Sequence, residues 1–323
     1  MTSPSFLLLA LLAILAAIVA IAGYFAFMTR RISASAQRQV PAAGKFVTIY
    51  GNRIHYVETG RGRTILFIHG LGGQLHHLRH PLFEHLDDDY RLVSLDRAGS
   101  GYSTRMGPLT GRLPEQAQLI ARFIDALELD RPLLVGHSLG GAVALSVALE
   151  HPEKISGLAL LAPLTHYNED VPPQFAGLKI RSSALRRLIA HTLAVPLSVR
   201  HSKATLDFVF GPQQPPSDYA VAGGALSGLR PSHFYATATD YVALDHEMPR
   251  QETRYGEIAM PAGIFFGTED RVLDYRKQGL RMEGKLAGLE LEIAEGVGHM
   301  PQYAVTDRVV AFIRRMADKA FAA

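Results

Sequence analysis

The sequence predicts an α/β fold: a mostly parallel central sheet flanked by helices, with a helical cap inserted late in the chain. Three observations carry this. Short, continuous apolar runs such as Thr64 to Ile68, Arg91 to Leu95 and Leu158 to Ala162 alternate with helical patterns, as when a parallel sheet is covered on both faces. The run Leu133-Leu134-Val135 leads into Gly136-His137-Ser138-Leu139-Gly140 and then a helix, Ala142 to Glu150, a strand–turn–helix unit. From Pro163 to about Arg254 the alternation stops, and a helical pattern broken by prolines takes its place.

In chain order, Phe6 to Met28 is an uncharged stretch of Leu, Ala and Ile. As a helix it would be ~34 Å long, enough for a hydrocarbon core of about 30 Å. Residues 1–29 therefore read as an N-terminal transmembrane anchor. A cleaved signal peptide is the rival, with Ala34-Ser35-Ala36 as its cleavage site. Against the rival, no Lys or Arg precedes the run, and the run exceeds the usual ~7–15 residue core. The nearby cations Arg30, Arg31, Arg38 and Lys45 all lie on its C-terminal side. The positive-inside rule then puts the catalytic domain in the cytoplasm, with an exported domain as the alternative. Residues 30–45 read as a linker, so removing residues 1–40 is expected to leave a folded domain.

Phe46 to Tyr50 and Arg53 to Glu58 alternate around Gly51-Asn52, which predicts a hairpin. Core segments are expected at 46–163 and 255–323, with the cap at 164–254. Pro114 to Leu127 reads as an amphipathic helix feeding the Leu133 strand. Late in the chain, Ala262 to Phe266 and Leu289 to Ala294 read as strands, and Tyr303 to Phe321 as a closing helix. The cap carries Lys179, Arg181, Arg186, Arg187, Arg200 and Lys203 against one acid, Asp207, between residues 171 and 216. Ile180, Ala184, Leu185, Leu188 and Ile189 would form an apolar face, with Arg186 and Arg187 largely opposite. Either that face packs on the core with a solvated basic side, or the cap meets acyl chains and anionic headgroups.

The central unit also predicts chemistry. A serine on a tight strand-to-helix turn needs small residues two positions either side for the turn to close. The helix N-terminus then aims free N–H groups where an oxyanion would form. A serine hydroxyl is a weak nucleophile without a base. These features resemble the α/β-hydrolase superfamily, with an N-terminal anchor added. Gly296-Val297-Gly298-His299 resembles its histidine turn, and Gly267-Thr268-Glu269-Asp270 its acid turn. The chain order Ser, Asp, His is the one this fold requires. The resemblance implies Ser138 as nucleophile, His299 as general base and Asp270 as its orienting acid, with Glu269 and Asp274 as nearby decoys. It also implies an oxyanion hole from the backbone N–H groups of Leu71, in His69-Gly70-Leu71-Gly72-Gly73, and of Leu139. Asp96, in Asp96-Arg97-Ala98-Gly99-Ser100-Gly101, is given a structural role.

The implied activity is a membrane-anchored serine hydrolase of carboxylic esters, lipophilic ones such as monoacylglycerols or short-to-medium acyl esters being favoured. Haloalkane dehalogenases and related epoxide hydrolases are set aside, because they place a carboxylate where Ser138 stands. Cofactor-free haloperoxidases, carbon–carbon bond hydrolases and proline peptidases share the triad and stay open, as does a ligand-binding receptor. Composition narrows the partners. With 33 basic and 30 acidic side chains and no basic–aromatic interleaving, nucleic acid is not implied. The absence of Cys removes disulfides and thiolate ligands. The trio His76, His77 and His80 lacks obvious further ligands nearby, so no metal is implied, nor a nucleotide or organic cofactor. The oligomeric state is left open.

Overall fold

The computed structural model describes residues 4–106, 111–167 and 172–322. The first three residues of the expected anchor and residues 168–171 of the expected cap lie outside them. Eight strands form one sheet: β1 (Lys45–Ile49), β2 (Asn52–Thr59), β3 (Thr64–Ile68), β4 (Arg91–Leu95), β5 (Leu133–His137), β6 (Gly157–Leu161), β7 (Ala262–Gly267) and β8 (Glu290–Ala294). Their spatial order is β1-β2-β4-β3-β5-β6-β7-β8. β1 and β2 form an antiparallel hairpin, β2 pairs antiparallel with β4, and every later pairing is parallel. The helices are α1 (Pro4–Gln39), α2 (His76–Leu82), α3 (Leu113–Ala126), α4 (Leu139–Glu150), α5 (Ser183–His191), α6 (Ala194–Arg200), α7 (Ser202–Phe210), α8 (Pro231–Gln251), α9 (Tyr275–Gln278), α10 (Pro301–Ala304) and α11 (Thr306–Ala322).

Side chains alternate across each strand, so the central strands feed two cores. Leu66, Ile68, Leu134 and Leu160 face one core, which includes Ile120 and Phe123 of α3 and Val143 of α4. Ile65, Phe67, Val135 and Leu161 face the other, which includes Leu78 of α2 and Phe312 of α11. The connections leaving β3 and β5 diverge toward opposite edges of the sheet, opening a crevice at their carboxyl ends. In open α/β sheets, sites form at this switch point.

Three local expectations are corrected. The hairpin turn is Tyr50-Gly51 rather than Gly51-Asn52: both have positive φ (50° and 75°), and Asn52 already pairs with Ile49 in the ladder. Two positive φ values make the turn type I′. Asn52 instead donates from Nδ2 to the Ile49 and Tyr50 carbonyls.

Of the expected linker, residues 30–45, the part up to Gln39 is helical, because α1 runs unbroken to that residue. Thr29, Ser33, Ala36 and Val40 are buried, spaced as one stripe of a helix. This stripe docks α1 onto the cap at α5 and α6, with Thr29 Oγ1 donating to the Thr192 carbonyl at 2.6 Å. Small side chains at 29, 33 and 36 permit the close approach. The N-terminal part of α1 is bare, and its apolar window is 0% buried.

On α5 the expected division of faces holds only in part: Arg187 is exposed and Ile189 half-buried, but Arg186 and the leucines are not where a core-packed apolar face would put them. Leu185 and Leu188 are 47% and 57% exposed. Arg186 is buried over the Tyr235 ring of α8, with Nη1 donating to the Ile180 carbonyl. Its Nε finds no hydrogen-bond partner among the described residues, so the burial rests on the Tyr235 ring and the Nη1 bond.

Candidate active site

Ser138 sits between β5 and α4 with φ 54° and ψ −121°, a strained backbone state for a side-chain-bearing residue. The turn holds because its neighbours are glycines. A Cβ on Gly136 would stand 2.6 Å from the Gly140 carbonyl oxygen, and one on Gly140 would stand 2.0 Å from the Ile68 carbonyl oxygen. The Ser138 N–H donates to the Leu161 carbonyl at 3.1 Å, and its own carbonyl accepts from the Leu164 N–H. The Ser138 turn is thereby tied to the end of β6. Among the described residues, neither the Leu71 nor the Leu139 N–H is taken up by a turn or cap hydrogen bond. Both stay available to a ligand.

His299 follows β8, and its Nδ1 lies 2.7 Å from Asp270 Oδ2, the two side chains being 5% and 0% exposed. The other carboxylate oxygen, Asp270 Oδ1, accepts from the Val272 and Leu273 N–H groups at 2.8 Å each. Both oxygens are therefore committed, one to the turn and one to the imidazole. With Nδ1 donating to Asp270, Nε2 is left as the proton acceptor. His137 ties this histidine to the nucleophile turn: its Nε2 donates to the His299 carbonyl at 2.9 Å, and the rings lie 4.9 Å apart. Burial, then the neighbouring His299 ring, holds His137 well below the usual histidine range, consistent with a neutral spacer. Among the described residues, Ser138 and His299 are not hydrogen-bonded to each other; such contacts often tighten only with substrate present.

The structure thus places Ser138, His299, Asp270, Leu71 and Leu139 at the carboxyl ends of β5, β8, β7 and β3. Glu269 is exposed. Asp274 caps α9, accepting from the Arg276 N–H. Asp96 is buried. It accepts from the Leu75 and Tyr102 N–H groups and pairs with His55 Nδ1 at 2.7 Å. The three clustered histidines diverge: His76 meets Arg79, His77 meets the Tyr219 hydroxyl, and His80 pairs with Asp218.

A buried polar network went unpredicted. Arg97 donates from Nε to the His69 carbonyl and from Nη2 to the Gly70 carbonyl, both at 3.1 Å, and pairs through Nη1 with Asp240 of α8 at 2.6 Å. His233, also on α8, lies 3.1 Å from the Gly72 carbonyl through Nε2. The sequence signal available was an Arg inside a Gly-rich loop, which says nothing of a partner 143 residues away.

A family model described as alpha/beta hydrolase fold matches residues 63–304. A 2-hydroxy-6-oxononadienedioate/2-hydroxy-6-oxononatrienedioate hydrolase of Burkholderia vietnamiensis is 26% identical over 288 residues, 85% of this chain and 96% of that protein. The dihydrolipoyllysine-residue acetyltransferase component of an acetoin cleaving system from Cupriavidus necator is 37% identical over 130 residues. That match takes in 40% of this chain and only 34% of the acetyltransferase component. Among solved structures, a membrane phospholipase A described as a novel bacterial virulence factor superposes with a TM-score of 0.69. It is 23% identical, and the match covers 99% of this chain and 100% of that one.

Proposed function

This chain belongs to the α/β-hydrolase family, and we propose that within it the protein is a membrane-anchored serine hydrolase of lipophilic carboxylic esters. The observation that carries the chemistry is a strained Ser138, joined through the adjacent His137 to His299, whose Nδ1 is held by a fully committed Asp270. In this reading His299 Nε2 takes the Ser138 proton as Oγ attacks the ester carbonyl. The Leu71 and Leu139 N–H groups hold the resulting oxyanion. The tetrahedral intermediate collapses to an acyl-serine as His299 returns the proton to the leaving alkoxide. Water, deprotonated by the same imidazole, then releases the acid. Asp270 holds the imidazole tautomer and stabilises its cation throughout.

The lipophilic substrate is supported by the cap. Leu185, Leu188, Leu193, Leu197 and Val199 are exposed on α5, α6 and the link between them, interspersed with the exposed cations Arg181, Arg187 and Arg200. This surface borders α1 at Thr29, the last uncharged residue before Arg30, so it stands level with the anchor's end. A retained anchor is supported by Ala36, which is buried against the cap inside an unbroken helix; cleavage there would discard docked structure. Exposed Arg30 and Arg31 follow the apolar run directly and favour a cytoplasmic catalytic domain. The likeness to the phospholipase is a likeness of fold and does not choose a substrate.

A second reading, carbon–carbon bond hydrolysis, is favoured by the full-length similarity to the dioate hydrolase. A dicarboxylate, however, gains nothing from an apolar cap surface. The test uses the detergent-solubilised full chain with p-nitrophenyl esters of graded acyl length, a 2-hydroxy-6-oxo-dienedioate and a fluorophosphonate probe. Ester turnover and covalent labelling, both lost in Ser138→Ala, are expected. Labelling that survives Ser138→Ala would sink the nucleophile, and turnover of the dioate alone would select the second reading.

A further inference from the structure

The loop that would supply half of the oxyanion hole holds only part of its shape by itself, through the Gly73 N–H donating to the Gly70 carbonyl at 3.2 Å. A Cβ on Gly70 would stand 2.9 Å from Ser138 Cβ, so the loop passes directly over the nucleophile. The Leu71 N–H belongs to the same planar peptide unit as the Gly70 carbonyl and points opposite to it. Whatever fixes the Gly70 carbonyl therefore aims the Leu71 N–H. Arg97 does this from Nη2, while its Nε fixes the preceding His69 carbonyl. The His69 ring closes the same unit: Nε2 accepts the Arg97 N–H at 3.0 Å, and Nδ1 donates to the Gly70 carbonyl at 2.9 Å. On the far side of Leu71, His233 Nε2 donates to the Gly72 carbonyl, and Nδ1 accepts the Gly101 N–H at 3.1 Å. These two partners set the neutral His233 tautomer. The carbonyls of residues 69, 70 and 72 are thus all held by side chains.

Those side chains answer to the cap. His233, Thr237 and Asp240 share one face of α8, spaced four and three residues apart. Asp240 takes Arg97 on Oδ2 and Arg105 Nη2 on Oδ1, each at 2.6 Å, and the three side chains are 3%, 7% and 1% exposed for Arg97, Arg105 and Asp240. Gln116 supplies the remaining partner, accepting from Arg97 Nη1 at 2.5 Å. A buried guanidinium keeps its geometry only while its counter-charge stays in place, and here that charge lies outside the sheet core.

We infer that the oxyanion hole is built jointly by core and cap, with Arg97, Asp240 and His233 as positioning residues that aim the Leu71 N–H and a seated α8 as a condition of catalytic competence. The inference rests on the acyl-serine reading above. It adds that the cap is part of the transition-state machinery as well as a roof over the substrate. Its energetic signature is specific. Misaiming an oxyanion donor weakens binding of the tetrahedral state and leaves ground-state binding nearly unchanged.

The experiment compares the full-length wild type with Arg97→Lys, Asp240→Asn, His233→Ala and His233→Gln in detergent. Each is measured for thermal midpoint, for kcat and KM on p-nitrophenyl butyrate, and for inhibition by 1,1,1-trifluoro-2-octanone against 2-octanone. The trifluoroketone adds the serine oxygen to its carbonyl and presents an oxyanion, whereas 2-octanone reports ground-state binding. For Arg97→Lys and Asp240→Asn, kcat is expected to fall ~100-fold with KM within about threefold. For His233→Ala the expected fall is roughly tenfold. His233→Gln keeps a donor near the Nε2 position and should recover most of the loss. Trifluoroketone affinity should fall in step with kcat, and 2-octanone affinity should stay put. Folded variants that bind the trifluoroketone as tightly as wild type would overturn the inference while leaving the hydrolase reading intact. A wild type that prefers the trifluoroketone no more than 2-octanone would overturn both. Should Arg97→Lys or Asp240→Asn not fold, the His233 pair decides alone: equal kcat for His233→Ala and wild type would overturn it.

Discussion

At the scale of single residues, the site separates groups that touch a substrate from groups that hold others in place, and Asp270 tests the distinction. Asp270→Asn keeps the turn hydrogen bonds through Oδ1 but loses the charge that fixes the His299 tautomer. Ester kcat is expected to fall by about 10⁴-fold with the thermal midpoint nearly unchanged. Glu269→Gln, at an exposed position, should leave kcat within about twofold. Asp274→Asn retains an N-capping side chain, so it should be near-silent both in rate and in stability. If steady-state kinetics instead make Asp274→Asn the severe variant, the acid turn has been misassigned by four residues. Ser138, Asp270 and His299 are legible in the sequence because each sits in a turn whose backbone demands small neighbours, and those glycines mark the turns. Arg97, Asp240 and His233 carry no such mark. Their roles arise from contacts across 143 and 161 residues, made on opposite sides of one loop.

At the scale of elements, the sheet was legible because its central strands are buried on both faces, which writes continuous apolar runs. What the faces of the cap helices and of α1 pack against was not, for a shared physical reason: amphipathic patterning tells which residues share a face, not what the face meets. On α5 the leucines face outward and Arg186 inward. On α1 the polar-looking residues 30–39 contain a buried stripe of small side chains. Two predictions follow from these placements. Removing residues 1–28 should release a soluble enzyme with its midpoint near that of the full chain. Removing residues 1–40 also strips the Ala36 and Val40 contacts and the Thr29 bond to Thr192, about 2–3 kcal/mol together. Its midpoint should drop by roughly 5–10 °C in calorimetry; equal midpoints for the two truncations would show that the docked stripe contributes nothing. Paired Leu185→Asn and Leu188→Asn should leave p-nitrophenyl butyrate turnover unchanged, since both side chains are exposed and far along the chain from the triad. Hydrolysis of acyl esters in anionic vesicles should fall severalfold, and an unchanged vesicle rate would remove the support that the cap gives to a lipid substrate.

At the scale of the whole molecule, sheet, cap and α1 are locked together by buried polar groups, several of them histidines, and this links stability to pH. His69 and His137 are held well below the usual histidine range, burial being the main cause in both, with the Arg97 charge and the His299 ring adding to it. His166, buried beside Lys285, is lowered to about 4, again first by burial and then by the Lys285 charge. Its Nε2 meets Lys285 Nζ at 2.8 Å, a contact that only the neutral ring can accept. In the unfolded chain each of these groups returns to a pKa near ~6.5. Between about 4 and 6.5 the unfolded state therefore binds more protons than the folded one, and stability rises with pH across that window. The contribution of these histidines is complete above about 6.5 and is lost as pH falls toward 4, before most carboxylates protonate. The thermal midpoint of the full chain is expected to be flat from pH 7 to 8 and to drop by on the order of 5–10 °C between pH 6.5 and 4.5. His166→Gln, which removes one of the depressed groups, should show a shallower drop over the same interval whatever its midpoint at pH 7. Parallel slopes for His166→Gln and wild type, or a wild-type midpoint that rises on acidification, would show that these rings do not stay neutral in the folded protein.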